Sequence, residues 1–278
     1  MTSLRAENVR QTARAAVAQS RNRGWIRVLA RIGLVAKGVS YVLVGILAIK
    51  VAIGEGGKTT SRTGALQSVA DEWFGKVLLI GLALGFAAYA LWRLAQTFFE
   101  AEDDAKGWGK RAGYLGRAAI YAGLTYSAVK LLTGGHQESQ TGKAHKATAQ
   151  VLSWPAGKWI VLAAGLAIVG AGLWNGYQAV TRNFEEKWNR AKMSEFARKW
   201  GKRVGAAGML ARAVVFCLIG GFMVKAAIDY RPKDAIGLDG ALAKLASHTY
   251  GTWLLGATAA GLLAYAVYCF VDARYRRV

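Results

Sequence analysis

KGVSYVLVGILAIK, residues 37 to 50, is the stretch on which the fold turns. Twelve uncharged residues separate Lys37 from Lys50, too few to cross a bilayer unaided and too apolar for a solvated loop. The pattern recurs as RAAIYAGLTYSAVK from Arg117 to Lys130 and as RAVVFCLIGGFMVK from Arg212 to Lys225. As a helix, thirteen steps at ~1.5 Å cover ~20 Å of a ~30 Å hydrocarbon core. A Lys or Arg stem lying along the helix lifts its charge ~5 Å towards the headgroups, so a cation at each end closes the gap.

Longer runs accompany the short ones. Lys158 and Arg182 enclose 23 uncharged residues, Lys76 and Arg93 enclose 16, and Thr249 to Val271 is another 23. Helices apolar on all sides and ~20 residues long are membrane spans. With 54% hydrophobic residues and two prolines in 278, the chain reads as all-α and integral to a membrane.

The net charge of +21 is unevenly placed. Of 37 Lys and Arg, 22 fall in the N-terminal stretch, the second and fourth connections and the C-terminal tail, 12 in the other connections, and three inside spans. Basic loops stay cytoplasmic, which predicts six spans of a bacterial plasma membrane with both termini in the cytoplasm. The Arg-rich first 24 residues contain no apolar signal-peptide core. Cys217 and Cys269 match no ligand or redox spacing and read as packing residues.

The three short runs belong to a repeat. Gly33, Gly113 and Gly208 keep the offsets of the bracketing cations, as do Tyr41, Tyr121 and Phe216. Gly75, Gly157 and Gly251 begin the second helices, which end near Trp92, Trp174 and Tyr268, followed by Gln96, Gln178 and Asp272. Gly64-Ala65-Leu66 returns as Gly240-Ala241-Leu242 in the third copy. The reading is a basic cytoplasmic arm (1–27), hairpin repeats at 28–100, 108–181 and 205–278, and a basic amphipathic connector helix at 182–204. Same-direction repeats favour a pseudo-threefold axis along the membrane normal.

These residues carry a resemblance. ARIGLVAKGVSY, KRAGYLGRAAIY and GAAGMLARAVVF, with GLALGFAAYALWRLAQ and its echoes AGLAIVGAGLWNGYQ and TAAGLLAYAVYCFVD, resemble the bacterial membrane family called domain of unknown function 1206. The likeness covers roughly residues 30 to 276. It implies three tandem two-helix modules and a bacterial membrane setting, and it assigns no activity and no functional residue. Repeat two departs most, with Pro155 before its second helix and Ala171 where Tyr89 and Tyr265 stand.

The inner cations are the candidate site. Gly33, Lys37, Tyr41 and Gly45 are spaced by four and share one side of the helix, and small residues mark where membrane helices meet. Lys37, Arg117 and Arg212 therefore either snorkel or ring a pocket for a lipid phosphate or small anion. Two stacked rings of an anion pore are excluded, because thirteen residues leave Lys50 about 140° around the helix from Lys37. In the connector, Phe184, Trp188, Phe196 and Trp200 lie near one helical face, with Arg198, Lys199, Lys202 and Arg203 among the basic residues. That composition predicts a helix resting on an anionic inner leaflet, or a protein-binding helix. Trp25, Trp92, Trp174 and Tyr268 inside, and Trp73, Trp159 and Trp253 outside, are expected as aromatic belts.

Catalytic signals fail. Gly142-Lys143 lacks the first Gly and the Ser or Thr of a phosphate loop, and His136, Glu138 and His145 have no metal-ligand spacing. No Ser/His/Asp set or carboxylate pair shares a depth, and no nucleic-acid reader motif accompanies the basic segments. No cofactor or metal is expected. The sequence thus predicts a non-catalytic membrane protein, structural, accessory or lipid-engaging, whose partners are membrane lipids, anionic headgroups and another membrane protein. The alternative is a transporter or channel for a small anion or amphiphile.

Overall fold

A computed structural model describes residues 2–53, 66, 74–99, 105–135 and 138–277, with the side chains of 2–23, 99, 105, 106 and 187 excepted. Gly64, Ala65, Trp73 and His136 lie outside the described residues. Among the described residues the α-helices follow in the order α1 Thr2–Ala52, α2 Gly75–Phe99, α3 Ala105–Leu132, α4 Gln140–Leu152, α5 Gly157–Thr181, α6 Glu195–Ile228, α7 Leu238–Ala246 and α8 Gly251–Tyr275. The described residues contain no strand, and one isolated antiparallel bridge joins Trp188 to Arg276.

Among the described residues five helices are long and apolar enough to cross a membrane: residues 24–52 of α1, then α2, α5, α6 and α8. The expected sixth, α3, has the length, at 28 residues, but not the apolarity. Gly113, Gly116, Gly123, Tyr114, Tyr121 and Tyr126 dilute its apolar face around Arg117. α1 runs unbroken from Thr2 to Ala52, so the basic N-terminal segment continues into the first long apolar helix.

The apolar residues of α2 show why such helices suit lipid. Leu79, Leu82, Phe86 and Tyr89 are buried, while Val77, Ile80, Leu84 and Leu91 form an exposed stripe on another side. A helix apolar both inwards and outwards does not face water. Gly157 and Gly251 open α5 and α8 where the short helices α4 and α7 turn into them. An added Cβ would collide with the carbonyl oxygens of Val151 and Ala246. The two short helices are themselves tied together: the Thr141 hydroxyl donates to Asp239 at 2.7 Å and accepts from the backbone N–H groups of Gly237 and Gly240.

The long helices pack in the order α3–α2–α1–α8–α6–α5. The first helix of each repeat lies against the second helix of another: α1 on α8, α6 on α5, α3 on α2. Hairpins one and three also close on themselves, α1 on α2 and α6 on α8. Hairpin two lacks a comparable contact between α3 and α5. The glycines give the reason. A Cβ on Gly33 would lie 2.7 Å from Tyr89 Cα, and one on Gly208 would lie 2.5 Å from Tyr265 Cα, whereas nothing stands within 4 Å of Gly113. Ala171 occupies the matching tyrosine position, so the knob that seats in the glycine notch is missing from repeat two. The apolar windows of α5 and α6 are accordingly only 17% and 22% buried, against 50%, 56% and 44% in α1, α2 and α8.

The connector corrects the expectation of one amphipathic helix over 182–204. Arg182 adopts a left-handed conformation (φ 58°) that ends α5. Two short 3-10 turns follow, Asn183–Lys187 and Arg190–Lys192, and α6 begins at Glu195 with the Ser194 hydroxyl accepting from the Ala197 N–H. Phe184 and Trp188 turn inwards, each 1% exposed, against Tyr268. They are core residues and not a membrane-surface face. The bend between the 3-10 turns and α6 separates them from Phe196 and Trp200, which are exposed. Glu185, also buried, is held by Lys202 at 2.6 Å and Arg190 at 3.8 Å. Trp92 and Tyr268 likewise leave the expected inner belt for the core, while Trp25, Trp174, Trp159 and Trp253 are exposed.

Candidate anion and lipid site

Tyr265 of α8 is the hub of the cation cluster. Its hydroxyl accepts from Lys37 Nζ at 2.8 Å and from an Arg212 terminal nitrogen at 2.6 Å. Two charged donors occupy both lone pairs of one phenol oxygen. Lys37 Nζ also lies 5.0 Å from the Tyr265 ring centre and 5.6 Å from that of Tyr89, and the Arg212 guanidinium is 4.4 Å from the Tyr265 ring. Such cation–π contacts strengthen when desolvated. Tyr41 meets Tyr265 edge-on at 4.7 Å, and its counterpart Tyr121 meets Tyr89 at 4.2 Å, so the aromatic contacts repeat across repeats as the helix contacts do.

Arg117 has a different setting. It lies within electrostatic reach of Arg93, Tyr89, Arg212 and Tyr265. Yet Arg117 is exposed, whereas Lys37 and Arg212 are half-buried. The sequence position in its own repeat that matches Tyr89 and Tyr265 is Ala171, which offers no hydroxyl. Arg117 sits on α3, the first helix of the repeat whose two helices do not pack together as the others do.

A fourth cation, Arg93 of α2, joins the group. It is buried, donates to the Tyr89 hydroxyl at 2.6 Å and to Gln96 Oε1, and lies 4.1 Å from the Trp92 ring. The spacing Tyr89, Arg93, Gln96 is one helical turn per step and was the available signal for it. Among the described residues no carboxylate pairs with Lys37, Arg93, Arg117 or Arg212. The Nε atoms of Arg93 and Arg212 are buried with no hydrogen-bond partner. Buried donors without acceptors are costly, and an anion supplies acceptors.

The lower edge of the cluster is built differently. Asp272 accepts from Arg276 at 2.7 Å and from the Trp188 indole N–H at 3.2 Å. Burial disfavours the Arg276 charge, but Asp272 beside it holds the guanidinium above its ordinary pKa. No group of three or more His, Cys, Asp or Glu that could hold a metal gathers among the described residues.

The geometry defines an all-helical protein of membrane-length helices with a cationic, tyrosine-lined interior. The chain belongs to the family described as Domain of Unknown Function (DUF1206), whose model matches three successive segments, residues 32–100, 112–182 and 207–276. It is also similar to the uncharacterized protein YxxB of Bacillus subtilis (strain 168), with 30% identity over 260 residues, spanning 91% of this chain and 92% of that one. No solved structure matches the chain.

Proposed function

We propose that this chain is a non-catalytic membrane protein that holds an anionic phospholipid headgroup at the α3–α5 seam, as a structural or accessory subunit of a membrane assembly. The carrying observation is Arg117, an exposed cation on α3, in the repeat whose two helices do not pack together and without the tyrosine that its counterparts have. A charge at membrane depth costs ~3 kcal/mol on insertion scales and calls for a partner. A lipid entering sideways brings a phosphate to Arg117 and acyl chains to the exposed apolar faces of α5 and α6. The fuller architecture in this reading is six spans, α3 included, as three hairpins about a pseudo-threefold axis in a bacterial plasma membrane. The packing of the first helix of each repeat on the second helix of another supports it, and the basic connections favour both termini in the cytoplasm. The same seam also supports a second reading, lateral passage of a small anion or amphiphile.

The test is native mass spectrometry of the protein released gently from its own membranes. Wild type should retain a phospholipid, Arg117→Gln should lose it, and Ala171→Tyr should lose it by filling the Gly113 notch. Retention unchanged in both folded variants would overturn the seam site. Flux of a small anion or amphiphile in reconstituted vesicles, abolished by Ala171→Tyr, would favour the second reading.

A further inference from the structure

A second cationic feature lies away from the seam. The start of α1, the connector and the C-terminal tail enclose a cavity of about 230 Å³, lined by Arg27, Arg31, Lys192, Arg274, Arg276 and Arg277. Among the described residues its lining contains no acid. Arg276 is neutralised by Asp272 behind it. Arg27, Arg31, Lys192, Arg274 and Arg277 have no carboxylate partner among the described residues.

Arg27 and Arg31 fall in the first two turns of the 24–52 span, and Arg274, Arg276 and Arg277 at the far end of the chain share the cavity with them. The group is thus a cluster at one end of the long helices and not a set of cations each lifted separately towards the headgroups. A general affinity for an anionic leaflet requires only a flat basic surface. Here the cations wall a concavity, and its backbone is fixed. The Asn189 N–H donates to the Tyr275 carbonyl at 2.7 Å, Trp188 bridges to Arg276, and the Trp188 indole holds Asp272. The connector thus pins the tail where its arginines share the cavity with those of α1. Like charges held this close repel, and a multivalent anion reverses the sign. Arginine forks suit phosphate oxygens in particular.

Volume narrows the ligand. Sites for whole small molecules run ~300–1,000 Å³, so this cavity takes a phosphate-bearing head and not a complete nucleotide. We infer that the cavity between α1, the connector and the C-terminal tail binds a diphosphate group, either as a soluble diphosphate or as the headgroup of a two-phosphate lipid.

The experiment is calorimetric titration of the full chain, delipidated in neutral detergent, with inorganic pyrophosphate. One-to-one binding is expected. The Arg31→Gln/Arg277→Gln pair should weaken it about tenfold or more, through the loss of two charge-assisted contacts. Arg231→Gln, on the opposite side of the molecule, and Arg117→Gln, at the seam, should leave it intact, which separates this site from the seam lipid. Repeating the titration in phosphatidylcholine nanodiscs with and without cardiolipin distinguishes the sources. Loss of pyrophosphate binding only with cardiolipin assigns the cavity to the lipid headgroup, and unchanged binding assigns it to a soluble diphosphate. Absence of pyrophosphate binding in the delipidated protein, or equal affinity in the Arg31/Arg277 variant, would overturn the inference.

Discussion

Tyr265 shows how one hydroxyl can hold two charges inside a helical bundle. Lys37 and Arg212 come from different repeats and end on the same oxygen. Each charge-assisted bond is worth ~1.5–3 kcal/mol when its loss strands a buried partner. Tyr265→Phe keeps the ring and the cation–π contacts but removes the acceptor. It should destabilise the fold by about 3 kcal/mol, read as a lowered thermal unfolding midpoint in detergent, whereas Tyr177→Phe at an exposed position should not. An unchanged midpoint for Tyr265→Phe would mean that the two cations have other acceptors.

Among the elements, the first helices of the repeats carry the same glycine and end up in different surroundings. Gly33 and Gly208 receive the backbone of a tyrosine, and Gly113 receives nothing. Gly33→Ala and Gly208→Ala should each cost ~1–3 kcal/mol by overpacking, since backbone and not a flexible tip is in the way. Gly113→Ala should be neutral or stabilise by up to ~1 kcal/mol through helix propensity alone. Measuring the three unfolding midpoints side by side tests the open seam directly; equal losses would show hairpin two closed like the others.

For the whole molecule, membrane crossings decide sidedness. Five of the long helices qualify as spans by composition and α3 does not. If α3 crosses as well, residues 231–234 lie outside and the two termini share the inner face. A cysteine placed at Lys233, with Cys217 and Cys269 replaced, should react with an impermeant thiol reagent on intact cells, and a reporter fused after Val278 should work only in the cytoplasm. A C-terminal reporter that works only outside would show an odd number of crossings and remove α3 from the membrane.

The sequence by itself determined the helices, the threefold repetition and the positions worth watching. Run length, small-residue spacing and paired cations are local properties, set by a ~30 Å apolar slab and a 3.6-residue turn. Ala171 was already legible as the departure in repeat two. Its consequence was not, because an unfilled notch exists only between two packed helices. The connector misled for the same reason: Phe184, Trp188, Phe196 and Trp200 fall on one face only of a continuous helix. The left-handed residue at Arg182 and the turns after it send the first two aromatic residues into the core. The tertiary structure also chose which cations face each other, as with Arg31 and Arg277, which approach across 246 residues of chain. Charge along a chain shows which side of the membrane a segment favours; only packing shows which charges share a cavity.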